Sequence, residues 1–329
     1  MFKSKFKVLI AIILTLGLIL TGCSSKSTDS DAADKQEELP VEKIKVYASF
    51  YPLYDFATKV GGDLVEVNVV VPPATEPHSF EPTPKTLADI EKADIFIYNG
   101  LEFEPWVDGV LELLAGKDIT IINASEGIEL IKLEEDHHDH DHEDEEEDHQ
   151  HLGEYDPHIW LDPMNAIKIA EGIKTALVNI SDDNKTIFED NYNSFKGELE
   201  KLDAHFNQEL AAVEVKDRKI IVSHSAFRYL AKRYQIQEIS VAGTSPHAEP
   251  TPAKLAELTK VAKKHNIQHI FFEVLANPKT AEVLSKEAKL EPMVLYNIEG
   301  LSKEQLEAGE DYLSLMYKNI EGLKKALVK

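Results

Sequence analysis

Hydrophobic positions along the chain fall into short runs that alternate with longer stretches of helical spacing. Residues 44–50, Ile-Lys-Val-Tyr-Ala-Ser-Phe, predict a strand, and 51–57 open a helix. Strands follow at 65–71, 94–99 and 119–122, with helices at 87–92 and 107–114 between them. The pattern returns later with strands at 219–222, 270–273 and 293–296 and helices at 226–234, 252–265, 279–289 and 307–327. Strands alternating with helices imply parallel βαβ units. The middle differs: 164–180 is helical. After the Ser181-Asp182-Asp183-Asn184 cap signal, Ile187, Tyr192, Phe195, Leu199, Leu202, Phe206 and Leu210 recur at helical spacing. That predicts a helix from 185 to about 213, about 42 Å long at about 1.5 Å per residue. The expected fold is α/β: two α/β lobes with mainly parallel sheets, joined by a long rigid connecting helix, with a site in the interlobe cleft. The first lobe covers 44–182, the connecting helix 183–213 and the second lobe 214–329. Ligands of such sheets bind beyond the carboxyl ends of the strands.

Composition narrows the classes. A chain of 329 residues, 43% hydrophobic and 29% charged, is globular and long enough for about two domains. Acidic residues outnumber basic ones 59 to 35, for a net charge of −24. That surface repels phosphate backbones and suits cations, so nucleic acid is not an expected partner. The single cysteine excludes an intramolecular disulfide and a Cys-rich zinc or iron–sulfur site.

The first 22 residues have the form of a secretory signal: Lys3, Lys5 and Lys7, then an apolar run over 8–20, shorter than the about 20 residues that span a bilayer. The run ends in Leu20-Thr21-Gly22-Cys23, which resembles a bacterial lipobox. Cys23 is the expected site of lipidation (a palmitate-type anchor), and 23–43 is a polar, flexible tether. These features place the body outside the cytoplasm, anchored to the outer face of the cell membrane, in an envelope of Gram-positive type.

Four potential metal ligands stand in loops that follow strands or approach their ends. His78 lies in Thr75-Glu76-Pro77-His78-Ser79-Phe80-Glu81-Pro82, and His158 in Asp156-Pro157-His158-Ile159-Trp160-Leu161-Asp162-Pro163. His224 follows the strand at 219–222, and Glu299 follows the strand at 293–296. Proline stiffens the backbone around the first two, which lowers the entropy lost on binding. Three imidazoles and a carboxylate suit zinc. With Ser223-His224-Ser225-Ala226-Phe227, Ala248-Glu249-Pro250-Thr251-Pro252 and Asn99-Gly100-Leu101 continuing to Glu104-Pro105-Trp106, these motifs resemble the zinc- and manganese-binding solute-binding lipoproteins of bacterial ABC importers (cluster A-I, which includes proteins described as adhesion lipoproteins). The resemblance runs from about Ile44 to the C-terminus. It implies that His78, His158 and His224 are metal ligands, with a carboxylate, Glu299, as the fourth. Some relatives carry aspartate there, and some zinc members use water. Manganese members carry glutamate at the position of His224, so the histidine here favours zinc.

Between 134 and 151 lies a run of acids with His137, His138, His140, His142, His149 and His151 and no apolar residue. It is expected to be a mobile loop that captures zinc weakly and raises its local concentration. Zinc-type members often carry such a loop. His247 reads as a turn residue, and His205, His265 and His269 as surface residues. Glu102 and Glu104 are candidates for guiding cations to the cleft.

The expected function is a high-affinity extracellular zinc receptor, monomeric and non-catalytic, with one tight Zn²⁺ site, that delivers the ion to an ABC-transporter permease. The alternatives are a manganese receptor of the same family and a zinc-dependent surface hydrolase. No His-Glu-x-x-His helix supports the latter. The long helix is expected to limit hinge closure to small lobe shifts.

Overall fold

The computed structural model describes residues 42–133, 153–213, 217–241, 243, 251–275 and 278–328. The signal segment, Cys23, the histidine–acid run and His247 lie outside them. Two four-stranded parallel sheets carry the fold. The first has β1 (Ile44–Ala48), β2 (Val65–Val69), β3 (Ile95–Tyr98) and β4 (Thr120–Asn123) in the order β2-β1-β3-β4. The second repeats that order with β5 (Lys219–Val222), β6 (Gln237–Ser240), β7 (His269–Phe272) and β8 (Glu291–Val294), as β6-β5-β7-β8. Strand order reverses between β1 and β3 and between β5 and β7. Those reversal points are where open α/β sheets bind ligands.

The intervening helices are α1 (Tyr51–Gly61), α2 (Pro84–Ile90), α3 (Val107–Leu114), α4 (Pro163–Ile180), α5 (Lys185–Ala211), α6 (Arg228–Arg233), α7 (Pro252–His265), α8 (Pro278–Ala288), α9 (Lys303–Glu307) and α10 (Tyr312–Leu327). Several begin with a side-chain cap followed by proline: Thr83 accepts from Thr86 N–H, Asp162 from Met164 N–H and Thr251 from Lys254 N–H. Among the described residues no helix is long and apolar enough to cross a membrane.

α5 has 27 residues and buries one stripe: Phe188, Tyr192, Phe195, Leu199, Leu202, Phe206 and Leu210. It packs against α4 and α1 of the first lobe and α10 of the second. One apolar cluster therefore runs without a break from Val46 and Ile97 through this stripe to Val222 and Leu315. Period-two alternation sends the other strand faces into satellite clusters, Phe96 with Trp106 and Val110, and Ile221 with Ile270 and Leu258.

Four local expectations are corrected. Ile187 is 47% exposed, and its neighbour Phe188 takes the core position. The last helix is two: Gly309, at φ +69°, ends α9, and Asp311 caps α10 by accepting from Ser314 N–H. β6 was hidden by its polar, half-exposed sequence, Gln-Glu-Ile-Ser. His269 is buried on β7 rather than at the surface.

Phe195→Ala, which removes a ring packed 5.4 Å from that of Phe56, is expected to cost about 3–5 kcal/mol of stability. Ile187→Ala is expected to change it by less than about 0.5 kcal/mol. Denaturant titration of both variants measures this, and equal losses would contradict the placement of the stripe.

Candidate metal centre

Each candidate ligand is delivered by a separate loop. In the loop after β2, the Glu76 carboxylate accepts from the backbone N–H of His78 (2.8 Å) and of Ser79 (3.0 Å), tightening the turn at Pro77-His78. His158 follows a narrow neck. Leu133 N–H donates to the Glu154 carbonyl and Asp156 N–H to that of Ile131, while Tyr229 of the second lobe donates to the Asp156 carbonyl. Asp156 then turns back, its Oδ1 accepting from the His158 backbone N–H and contacting the ring Nδ1, both at 2.9 Å. His224 stands two residues past β5 with Nδ1 2.6 Å from Glu273 Oε1. Glu299 follows β8.

The four converge. His158 Nε2 lies 3.3 Å from His224 Nε2 and 3.3 Å from Glu299 Oε1, and His78 Nε2 lies 3.5 Å from the same oxygen. One ligand atom from each lies within 4.8 Å of all the others. His158, His224 and Glu299 are buried, and His78 keeps 12% of its side chain exposed, so the cluster meets solvent on that side. Phe103 packs edge-on to His78 at 4.7 Å, and Trp160 lies 5.4 Å from His158, making an apolar wall.

A tetrahedral zinc with ligands at about 2.0–2.1 Å separates its donor atoms by about 3.3–3.4 Å. Three of the six donor spacings, at 3.3–3.5 Å, match that edge, and all six lie within 4.8 Å. His78 Nε2 and Glu299 Oε1 are buried without a hydrogen-bond partner among the described residues, an arrangement a cation between them would satisfy. The two carboxylates behind the rings complete the fit. An ionised carboxylate only accepts, so Asp156 and Glu273 place the proton on Nδ1 and turn each Nε2 lone pair inward. Burial would raise the Glu299 pKa, yet His78 and His158 hold it well below the usual carboxylate range. Burial opposes charging of His158, but Asp156 and Glu299 push its pKa up to about 10. Burial likewise opposes charging of His224, and Glu273 raises it.

All four sequence candidates for the tight site are thus brought together. The loop histidines His137, His138, His140, His142, His149 and His151 lie outside the described residues. Glu104 is not a surface guide: it is fully buried and accepts from Ser49 Oγ (2.6 Å) and the N–H groups of Asn99 and Gly100, with burial pushing its pKa up to about 7. Sequence reasoning missed Asp156 and Glu273 as orienting groups. Their signals were present: one stands two residues before His158, and the other directly follows a buried strand.

Residues 46–326 match the family model described as zinc-uptake complex component A, periplasmic. The chain is 37% identical over 317 residues to the high-affinity zinc uptake system protein ZnuA of Bacillus subtilis, covering 96% of both chains. It is 37% identical over 286 residues to the zinc-binding lipoprotein AdcA of Streptococcus pneumoniae, covering 86% of this chain and 56% of that protein's length. The Zn(II)-bound ZnuA-like domain of the pneumococcal AdcA superposes with a TM-score of 0.73 at 36% identity, over 88% of this chain and all of that one. The laminin-binding protein of Streptococcus agalactiae, described as bifunctional with adhesin and metal-transporting activity, gives a TM-score of 0.73 at 28% identity, over 86% and 99% of the two chains.

A proton held by His158 up to about pH 10 must leave before Nε2 can coordinate. The pKa is raised, so the competition is strongest at low pH and fades as pH rises through that value. Zinc binding near neutral pH is expected to release about one proton, and affinity should climb as pH rises above neutral. Calorimetry in buffers of different ionisation enthalpy measures this. Heats independent of the buffer would contradict it.

Proposed function

Because the chain belongs to the periplasmic zinc-uptake complex component A family, we propose that it is a high-affinity zinc receptor that captures Zn²⁺ outside the cytoplasm and hands it to an ABC-transporter permease. His78, His158, His224 and Glu299 are the proposed ligands of one tight site, and the ion is cargo rather than a resident cofactor. The observation that carries this reading is the convergence of three imidazoles and one carboxylate, from four loops of two lobes, within 4.8 Å of one another, with three of the spacings at the edge length of a zinc tetrahedron. Three imidazoles favour zinc over the harder manganese ion. With four protein ligands the tetrahedron is closed, whereas a hydrolytic zinc keeps one position for water, so a receptor is favoured over a hydrolase.

The finer assignments belong to the same reading. Cys23 carries a lipid that holds the protein, as a monomer, to the outer face of a Gram-positive membrane, and the polar segment after it is the tether. The histidines of 134–151 bind zinc weakly and raise its concentration near the cleft.

His78→Ala, His158→Ala and His224→Ala are each expected to lower zinc affinity at least about tenfold, as read by competition with a chelator. Wild-type affinity in any of them would remove that residue from the site. Deleting 134–151 is expected to leave one zinc bound in native mass spectrometry under excess manganese while total zinc stoichiometry falls. Loss of that last zinc would mean that the loop supplies a ligand of the tight site.

A further inference from the structure

Glu273 lies directly after β7, beside β5, where the strand order of the second sheet reverses. Both of its oxygens are engaged. Oε1 faces His224 Nδ1 at 2.6 Å and accepts from Ser223 Oγ at 3.2 Å, and Oε2 accepts from Asn297 Nδ2 at 3.0 Å. Asn297 is fixed on its other side, where its carbonyl accepts from Trp160 Nε1 at 2.7 Å. The next residue, Ile298, is buried with φ +58°. A β-branched side chain in the left-handed region is strained and persists only where its surroundings hold it. Glu299 follows immediately.

Resting on the zinc-receptor reading, we infer that Glu273 is a positioning residue for two ligands at once. It holds His224 directly, and it holds Glu299 through Asn297 and the strained turn at Ile298. The two ligands of the second lobe therefore move as one unit. The first lobe builds a parallel device. Ser49, directly after β1 as Ser223 is after β5, donates to the buried Glu104 carboxylate at 2.6 Å, which also accepts from Asn99 N–H at 2.7 Å. Asn99 Nδ2 then donates at 2.9 Å to the carbonyl of Pro157, the residue before His158. In both sheets a serine after the central strand meets a buried carboxylate, and an asparagine links that carboxylate to the loop bearing a ligand. Recurrence at both reversal points ties the device to the cleft between them.

The test is a double-mutant cycle on the full-length chain, with zinc affinity read by chelator competition at less than one equivalent of zinc. Glu273→Met keeps the side-chain volume and removes both acceptors, and is expected to weaken binding by about 10–100-fold. Asn297→Ala leaves the His224–Glu273 contact intact, and is expected to weaken binding by a smaller factor. The double variant should bind no worse than Glu273→Met alone, because the asparagine side chain acts through Glu273. Cobalt(II) should lose its intense tetrahedral visible bands in Glu273→Met and keep them in the wild type. Thermal melting of the metal-free proteins separates loss of fold from loss of position. If Glu273→Met does not fold, Asn297→Ala carries the test alone. Wild-type affinity in Asn297→Ala, or losses that add in the double variant, would overturn the inference. A wild-type chain that binds no zinc would instead overturn the receptor reading on which it rests.

Discussion

Taking the Glu299 carboxylate and three imidazoles out of water is the constraint on which the rest of the molecule depends. A buried carboxylate without compensation costs several kcal/mol. Glu299 Oε1 stands 3.3 Å from His158 Nε2 and 3.5 Å from His78 Nε2, and neither it nor His78 Nε2 has a hydrogen-bond partner among the described residues. Burial opposes charging of His158, yet the Asp156 and Glu299 carboxylates beside it push its pKa up to about 10. Under the proposed reading, a divalent cation would satisfy the inward-facing nitrogen and oxygen atoms at once. Affinity would then come from a site whose ordering cost was met during folding.

That preorganisation is built at three depths. Asp156 and Glu273 orient two of the rings from behind. Phe103 and Trp160 wall the cluster with apolar surface, which strengthens each electrostatic contact inside. Further out, the lobes are tied together. Trp160 of the first lobe donates to the Asn297 carbonyl of the second, Tyr312 donates back to the Trp160 carbonyl, and Ala74 N–H donates to Leu301. α5 carries one continuous core past both sheets. Packing of this kind resists a wide hinge motion, and it leaves His78 as the most exposed of the four candidate ligands.

Much of this was legible in the residues because the strongest signals are local. Alternating strands and the stripe from Tyr192 to Leu210 specify the lobes and the long helix. Proline-bracketed His78 and His158, and His224 just past a strand, mark the cleft. Glu299 was legible chiefly through the family resemblance. What escaped was set by tertiary contact. Choosing Phe188 over Ile187 needs the angle at which α5 meets α4, since both fit a helical period. Glu104 looked like a surface acid until burial and three donors were seen. The link from Glu273 to Asn297 spans 24 positions, and no pattern in the sequence announces it.

The most direct test of the site is X-ray absorption at the zinc edge, on the protein lacking 134–151 and loaded with one equivalent of zinc. The proposed ligand set predicts four light-atom neighbours at about 2.0–2.1 Å, three of them with the multiple-scattering signature of imidazole. Fewer than three imidazoles, or a coordination shell dominated by oxygen, would contradict it.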